Sequence, residues 1–257
     1  MRISQNQDAY RLNPQVRVTT SWDDGHPMDL KLAEVLSEFG IKGTFYVTPR
    51  NRERAVMPIS DLRTLSENFE IGAHTLTHPD LRSLNDQQLK NEINGSKAEL
   101  ESVLGTPISM FCYPKGLYNK RVCQAVKNAD LIGARTTKQY YLDPGVDPWE
   151  IPSTIMVDPL PHWIRLRHEL RTGNWRGLKV LWQRGTGTSW VDLACGLFEE
   201  ALANGGVWHL WGHSLEIEEY NLWDGLRIVL KAVAHHKNVI YMTNTQVVRD
   251  LGLSKHK

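Results

Sequence analysis

Short β-branched or aromatic runs alternate with helical segments along nearly the whole chain, and that alternation restricts its fold more than any other feature. Val16–Trp22 reads as a strand, and Met28 to Phe39, with Met28, Leu32, Val35 and Leu36 on one face, as a helix stopped by Gly40. Further strands are predicted at Gly43–Val47, Phe69–Ala73, Ser109–Tyr113, Leu131–Arg135, Glu150–Val157, Gly206–Trp211 and Val239–Thr243. Helices are predicted at Ile59–Leu65, Asn85–Leu104, Tyr118–Asn128 and Trp223–His235, with an irregular, largely helical stretch from Pro159 to Gly205. Such alternation implies an α/β fold with a parallel sheet, open or closed into a barrel. No internal repeat or low-complexity linker divides the sequence, so residues 1–257 read as one domain carrying a helical insertion at about 159–205.

Composition narrows the partners. The formal net charge of +1 excludes a nucleic-acid coater, which needs a basic excess. Three cysteines without close pairing suit reduced thiols, and Met1–Tyr10 has no apolar run of the kind a leader needs, so a cytoplasmic location is expected. Nor does any apolar run reach the ~18 residues of a membrane span.

The residues able to do chemistry fall just after the predicted strands: Asp23-Asp24 after the first, His74 and His78 after the third, Lys115 after the fourth, Arg135 at the end of the fifth, His213 after 206–211. In a barrel or open parallel sheet those ends share one rim, where loops build active sites. Two adjacent carboxylates repel each other unless a cation is near, although Asp-Gly in Asp23-Asp24-Gly25 is equally turn and N-cap chemistry. His74 and His78, four apart, can reach one ion from a tight turn, and the same spacing also occurs on plain helix faces. One Asp and two His together leave open positions on an ion, the pattern of a catalytic rather than a closed structural site.

The segments Ser21-Trp-Asp-Asp-Gly25, His74-Thr-Leu-Thr-His78, Phe111-Cys-Tyr-Pro-Lys-Gly116 and Leu210-Trp-Gly-His213 resemble, in order and spacing, the motifs of the polysaccharide deacetylase family (the NodB homology domain, or family four carbohydrate esterases). The resemblance covers about residues 16–243. It implies a distorted (β/α) barrel of about seven parallel strands and a metal-dependent hydrolase that removes an N-acyl group from an amino sugar. Position by position it implies Asp24, His74 and His78 as metal ligands, Asp23 as general base and His213 as general acid. It also implies the backbone N–H of Lys115 at the oxyanion, with Tyr113 and Trp211 beside it as substrate-binding positions. By ligand type Zn2+ is the first expectation, with Co2+, Ni2+ and Mn2+ also suited. His209 lies inside a strand and is expected to be a satisfied core histidine.

Two departures matter. The family commonly carries an Arg two residues before the proline of the third motif, where Cys112 stands here. Arg135 is the candidate to supply that guanidinium to Asp23, or else pairs with another rim carboxylate. The residue tethering His213 is open among Ser214, Glu216, Asp143, Asp147 and Asp158. Between Trp163 and Arg184 in the insertion, Arg165, Arg167, Arg171, Arg176, Lys179 and Arg184 face Glu169 alone, and Trp163, Trp175, Trp182 and Trp190 lie in or beside this stretch. That basic, aromatic segment suits a phosphate-bearing, lipid- or nucleotide-linked sugar or a membrane surface, and equally a packed helical subdomain or an oligomer contact. The alternatives to sugar deacylation are hydrolysis of a small non-sugar amide and an inactive carbohydrate-binding module.

Overall fold

Every strand pairing among the described residues is parallel, as the strand–helix alternation requires. The structure, a computed structural model, describes residues 15–185 and 187–253; Met1–Tyr10, read above for a leader, lies outside them. β1 (Val16–Asp24) is the axis of the sheet and is buried almost end to end, as expected of a strand covered on both faces. It pairs along one edge with β7 (Gly206–Gly212), from Val16↔Gly206 to Trp22↔Gly212. Its other edge is shared: β8 (Val239–Tyr241) takes Val16 to Val18, and β2 (Gly43–Val47) takes Thr20 to Asp24.

Beyond β2 come β3 (Glu70–Ala73), β4 (Met110–Cys112) and β5 (Gly133–Arg135), and beyond β7 comes β6 (Ile155–Met156). The order β5-β4-β3-β2-β1-β7-β6 makes a curled sheet of seven successive parallel strands, with β8 attached to β1. This is the distorted barrel that the motif resemblance implied.

One expected strand is broken. Glu150–Val157 keeps only an isolated bridge of Ile151 to Arg135 and the two-residue β6 against Leu210 and Trp211. Pro152 between them has no N–H to donate, and a regular ladder cannot run through it. The segment still ties the two ends of the sheet together, since Thr136 N donates to Ile151 O at 2.8 Å and Thr154 N to His209 O at 2.9 Å.

The helices follow from local chemistry. α1 (Asp29–Glu38) buries Leu32, Val35 and Leu36, and α2 (Ile59–Ser66) buries Leu62 and Leu65. α3 (Asp86–Leu104) starts at a reciprocal Asn85/Gln88 capping box and ends at left-handed Gly105. α4 (Lys120–Lys127) starts later than its apolar pattern suggests because Asn119 caps Val122 N.

The stretch 159–205 contains α5 (His162–Thr172), α6 (Trp175–Arg184) and α7 (Trp190–Asn204). α7 buries Leu193, Leu197, Phe198 and Ala201 and accepts a 3.0 Å bond from Trp208 Nε1, so it belongs to the layer covering β7. The extra structure is the α5–α6 hairpin, joined through left-handed Gly173. α8 (Ser214–Glu219), α9 (Trp223–Val233) and α10 (Asn244–Asp250) complete the chain.

Gly72 on β3 makes room for the ring of Tyr46: a Cβ there would come within 2.5 Å of two ring atoms. Gly72→Ala should therefore lower the unfolding free energy by about 1–3 kcal/mol in urea titrations, the ordinary penalty for overpacking.

Candidate metal and catalytic site

Adjacent residues on a strand normally point to opposite faces, yet Asp23 and Asp24 both line one cavity of about 340 Å³ at the C-terminal ends of the strands. Asp24 takes φ = +83°, outside the strand region, and that local turn ends the alternation. Gly25 continues it at φ = +70°, where a Cβ would lie 2.7 Å from Val47 Cγ1. Thr75 and His78 are also left-handed, so the two histidines meet through a tight loop rather than across a helical turn. Unfavourable backbone conformations concentrated at one cavity mark a constellation held in place by its surroundings.

The carboxylate of Asp24 is divided between two kinds of neighbour. Oδ2 pairs with Arg54 at 3.0 Å, whereas buried Oδ1 accepts no hydrogen bond and faces His74 Nε2 at 3.6 Å and His78 Nε2 at 3.4 Å. His74 donates Nδ1–H to the carbonyl of Cys112, and His78 donates Nδ1–H to Glu53, both at 2.8 Å. Each imidazole therefore turns its Nε2 lone pair toward the orphaned oxygen. Burial lowers the His74 pKa to about 4, so it is neutral and able to ligate at neutral pH. One carboxylate oxygen and two imidazole nitrogens within 4.8 Å of one another fit a divalent transition metal, with outer bonds fixing both rings.

Asp23, next to this donor set, is almost fully buried and bonded to the fully buried guanidinium of Arg135. Burial alone would raise its pKa, but Arg135, His74 and His213 hold the carboxyl below its ordinary range. Cys112 Sγ lies 3.6 Å from its other oxygen, and Cys112 is the register partner of Arg135 across β4 and β5. The cation thus comes from the neighbouring strand at the level where the motif has cysteine. Arg135 is also flanked by aromatic faces, 4.5 Å from the Trp211 ring centroid and 5.5 Å from that of Tyr46.

His213 lies across the cavity, with Nε2 4.0 Å from Asp24 Oδ2. Its Nδ1–H donates to Glu216 at 3.1 Å, so Glu216 is the tether. Asp143 and Asp147 instead accept from nearby backbone N–H groups, and Asp158 holds buried Arg165 at 2.8 Å. Burial pulls the His213 pKa down, but Glu216, Asp23 and Asp24 outweigh it and raise it above the usual histidine value. Glu216 is held down at about 2, since His213 and Arg54 outweigh its burial.

The remaining expected positions divide. Lys115, left-handed at φ = +57°, lines the cavity and its Nζ bonds Glu53 at 2.6 Å. Trp211 lines it too, with a buried Nε1–H that has no acceptor. Tyr113 is a correction: its ring stacks on Tyr118 at 4.5 Å and its hydroxyl donates to Trp149 O, away from the cavity. The residue before it, Cys112, faces Asp23, and strand alternation sends Tyr113 to the other side. His209 is buried against Ser21 Oγ at 2.8 Å and stays in the core.

Sequence reasoning missed Glu53 and Arg54. Both lie in the loop after β2, and their only advance signal was a charged cluster, Arg50 to Arg54, at another strand's C-terminal end. Arg165, His168 and Glu169 of α5 also line the cavity, which places the insertion over the rim.

Residues 12–133 match the family model described as polysaccharide deacetylase. A peptidoglycan-N-acetylglucosamine deacetylase of Bacillus cereus is 24% identical over 171 residues, covering 63% of this chain. The match spans 59% of that relative's own length. Among solved structures, a Mycobacterium smegmatis protein assigned to the polysaccharide deacetylases aligns with TM-score 0.67 at 15% identity, covering 97% of this chain and 94% of that one. The Xyl-CE4 domain of a multidomain xylanase from the hindgut metagenome of Trinervitermes trinervoides aligns with TM-score 0.59 at 14% identity, covering 93% and 92%. At these identities the structures establish a shared fold.

Removing Arg135 strands a buried carboxylate. Arg135→Ala should lower stability by about 3–5 kcal/mol in denaturant titrations, and Arg135→Lys by less. The double variant Asp23→Asn, Arg135→Ala should lose clearly less than the sum of the single losses, because the two side chains answer one another.

Proposed function

We propose that the chain is a member of the polysaccharide deacetylase family, whose model matches residues 12–133, and that it is a metal-dependent hydrolase removing an acetyl or formyl group from the nitrogen of an amino sugar. The observation that carries this reading is the single cavity in which the Asp24–His74–His78 donor set meets a fixed base, Asp23, and a fixed acid, His213. The chemistry a divalent ion supplies at those three side chains is Lewis acidity toward the amide carbonyl and toward water.

The chain's own groups supply the rest. Asp23, kept ionised by Arg135, takes a proton from the water that attacks the carbonyl carbon. The Lys115 backbone N–H and the unpaired indole N–H of Trp211 are the donors offered to the oxygen that gains charge. His213, charged through its bond to Glu216, gives its Nε2 proton to the departing nitrogen, so an amine and a carboxylate leave. Glu53 and the Cys112 carbonyl orient the two ligand histidines.

For the substrate we favour a phosphate-bearing intermediate over a bare polymer. A second cavity of about 450 Å³ shares Lys115, Thr137, Gln139, His168 and Glu169 with the first and adds Lys138 and Arg171, which supports an anionic group beyond the acylated sugar.

Mass spectrometry of N-acetyl and N-formyl sugars, free and phosphate-linked, after incubation with the zinc-, cobalt- or manganese-loaded protein tests this reading. His74→Ala should lose both bound metal and turnover. Asp23→Asn and His213→Ala should each lower kcat about 10²–10⁴-fold while keeping the metal. Full turnover in His74→Ala would overturn the mechanism.

The pH profile gives a separate check. Glu216 raises the pKa of the acid, so turnover should fall as pH rises through the His213 pKa. Glu216→Gln should bring that alkaline limb to lower pH by about one unit.

A further inference from the structure

The α5–α6 hairpin buries Val180 and Leu181 against the core but presents other large apolar side chains to solvent. Trp163 and Leu170 are each 62% exposed, Trp175 77% and Trp182 82%, and Leu160 just before α5 is 41% exposed. The other large exposed apolar side chains among the described residues lie elsewhere on the surface and include no tryptophan.

Spacing gathers these residues into one face. Trp163, Arg167 and Leu170 fall at i, i+4 and i+7 on α5, and Trp175, Lys179 and Trp182 at i, i+4 and i+7 on α6. α5 buries Arg165 and Glu169 and α6 buries Gly177, Val180 and Leu181, so on each helix these tryptophans lie on the side opposite the buried one.

The charge on this face has one sign. Between Asp158 and Asp192 the only carboxylate is Glu169, which is buried and bonded to Asn174 and His168. Arg167 and Lys179 are exposed and make no ion pair among the described residues. Indole rings interleaved with unpaired cations, and no exposed acid, are the composition of a surface that rests in the headgroup layer of an anionic bilayer.

We propose that the outer face of the α5–α6 hairpin docks on an anionic lipid surface, setting the mouth of the catalytic cavity at the level of the headgroups. The other side of the same hairpin, through Arg165, His168 and Glu169, walls that cavity, so docking brings it to the membrane. Docking itself needs no catalysis; its corollary, that the amino sugar is carried on a lipid phosphate, rests on the deacylase reading. A second copy of this chain is a poorer occupant, because a two-fold contact would set the unpaired cations against themselves. A soluble acidic glycan could use the cations and stack on the indoles, but it leaves Leu160 and Leu170 in water.

Co-sedimentation of the full chain with vesicles of phosphatidylcholine alone, or mixed with phosphatidylglycerol, tests the proposal. Binding is expected to the mixed vesicles only, with a blue shift of tryptophan emission and weakening at high salt. Arg167→Ala and Lys179→Ala should each weaken binding on the order of fivefold. The triple variant Trp163→Ala, Trp175→Ala, Trp182→Ala should abolish it with circular dichroism and thermal midpoint unchanged. His74→Ala should bind like the parent, which separates docking from the hydrolytic mechanism. Equal binding to neutral vesicles, no binding to either kind, or self-association removed by the triple tryptophan variant would each overturn the proposal.

Discussion

The contact between Asp23 and Arg135 is the constraint around which the site is arranged. A carboxylate this deeply buried stays ionised only if a fixed cation answers it, and a buried guanidinium in turn needs its anion and aromatic faces to rest on. Both requirements are met by four strands of the curled sheet: the end of β1 supplies the acid, the end of β5 the cation, and Tyr46 of β2 and Trp211 of β7 flank the guanidinium. Gly72 leaves the Tyr46 ring its place. The contact therefore joins residues that are 112 positions apart in the chain across several strands of the sheet.

Around this pair the polar groups form a connected set. Arg54 touches both Asp24 and Glu216, so one guanidinium spans the ligand carboxylate and the tether of the acid. Glu53, its neighbour, spans His78 and Lys115. A single loop after β2 thus sets the orientation of one ligand histidine, the ligand carboxylate, the acid's partner and a cavity lysine. Displacing that loop would disturb several roles at once, although none of its own atoms is assigned to the reacting bond.

Much of this was legible in the sequence because the relevant patterns were local. β-branched runs separated by helical periodicity located the strands, and strand ends located Asp23, Asp24, His74, His78, Arg135 and His213 on one rim. What stayed hidden depended on conformations that residue type does not specify. The Glu150–Val157 run had the apolar content of a strand, but Pro152 interrupts its ladder. Tyr113 sits in a motif position yet points away, because the alternation that aims Cys112 inward aims its neighbour outward. Arg54 and Glu53 gave no signal beyond their charge, since an irregular loop does not reveal which side chains it turns inward. The tether of His213 lay three residues away on the first turn of α8, a spacing that helix geometry accommodates but several nearby acids could have rivalled.

The burial pattern of α5 has a thermodynamic consequence of its own. Its only fully buried residues are Arg165 and Glu169, with Leu166 packed part-buried against the core, so the helix is largely inverted: charged side chains turn toward the barrel while Trp163 and Leu170 turn away. A segment anchored chiefly by polar contacts contributes little area-driven cohesion, because water replaces such bonds at small net cost. Local opening free energy should then be lowest in this wall of the cavity and higher in the β1 core. Any partner that covers the outward face tightens the hairpin by mass action, so occupancy outside and rigidity inside are two readings of one equilibrium.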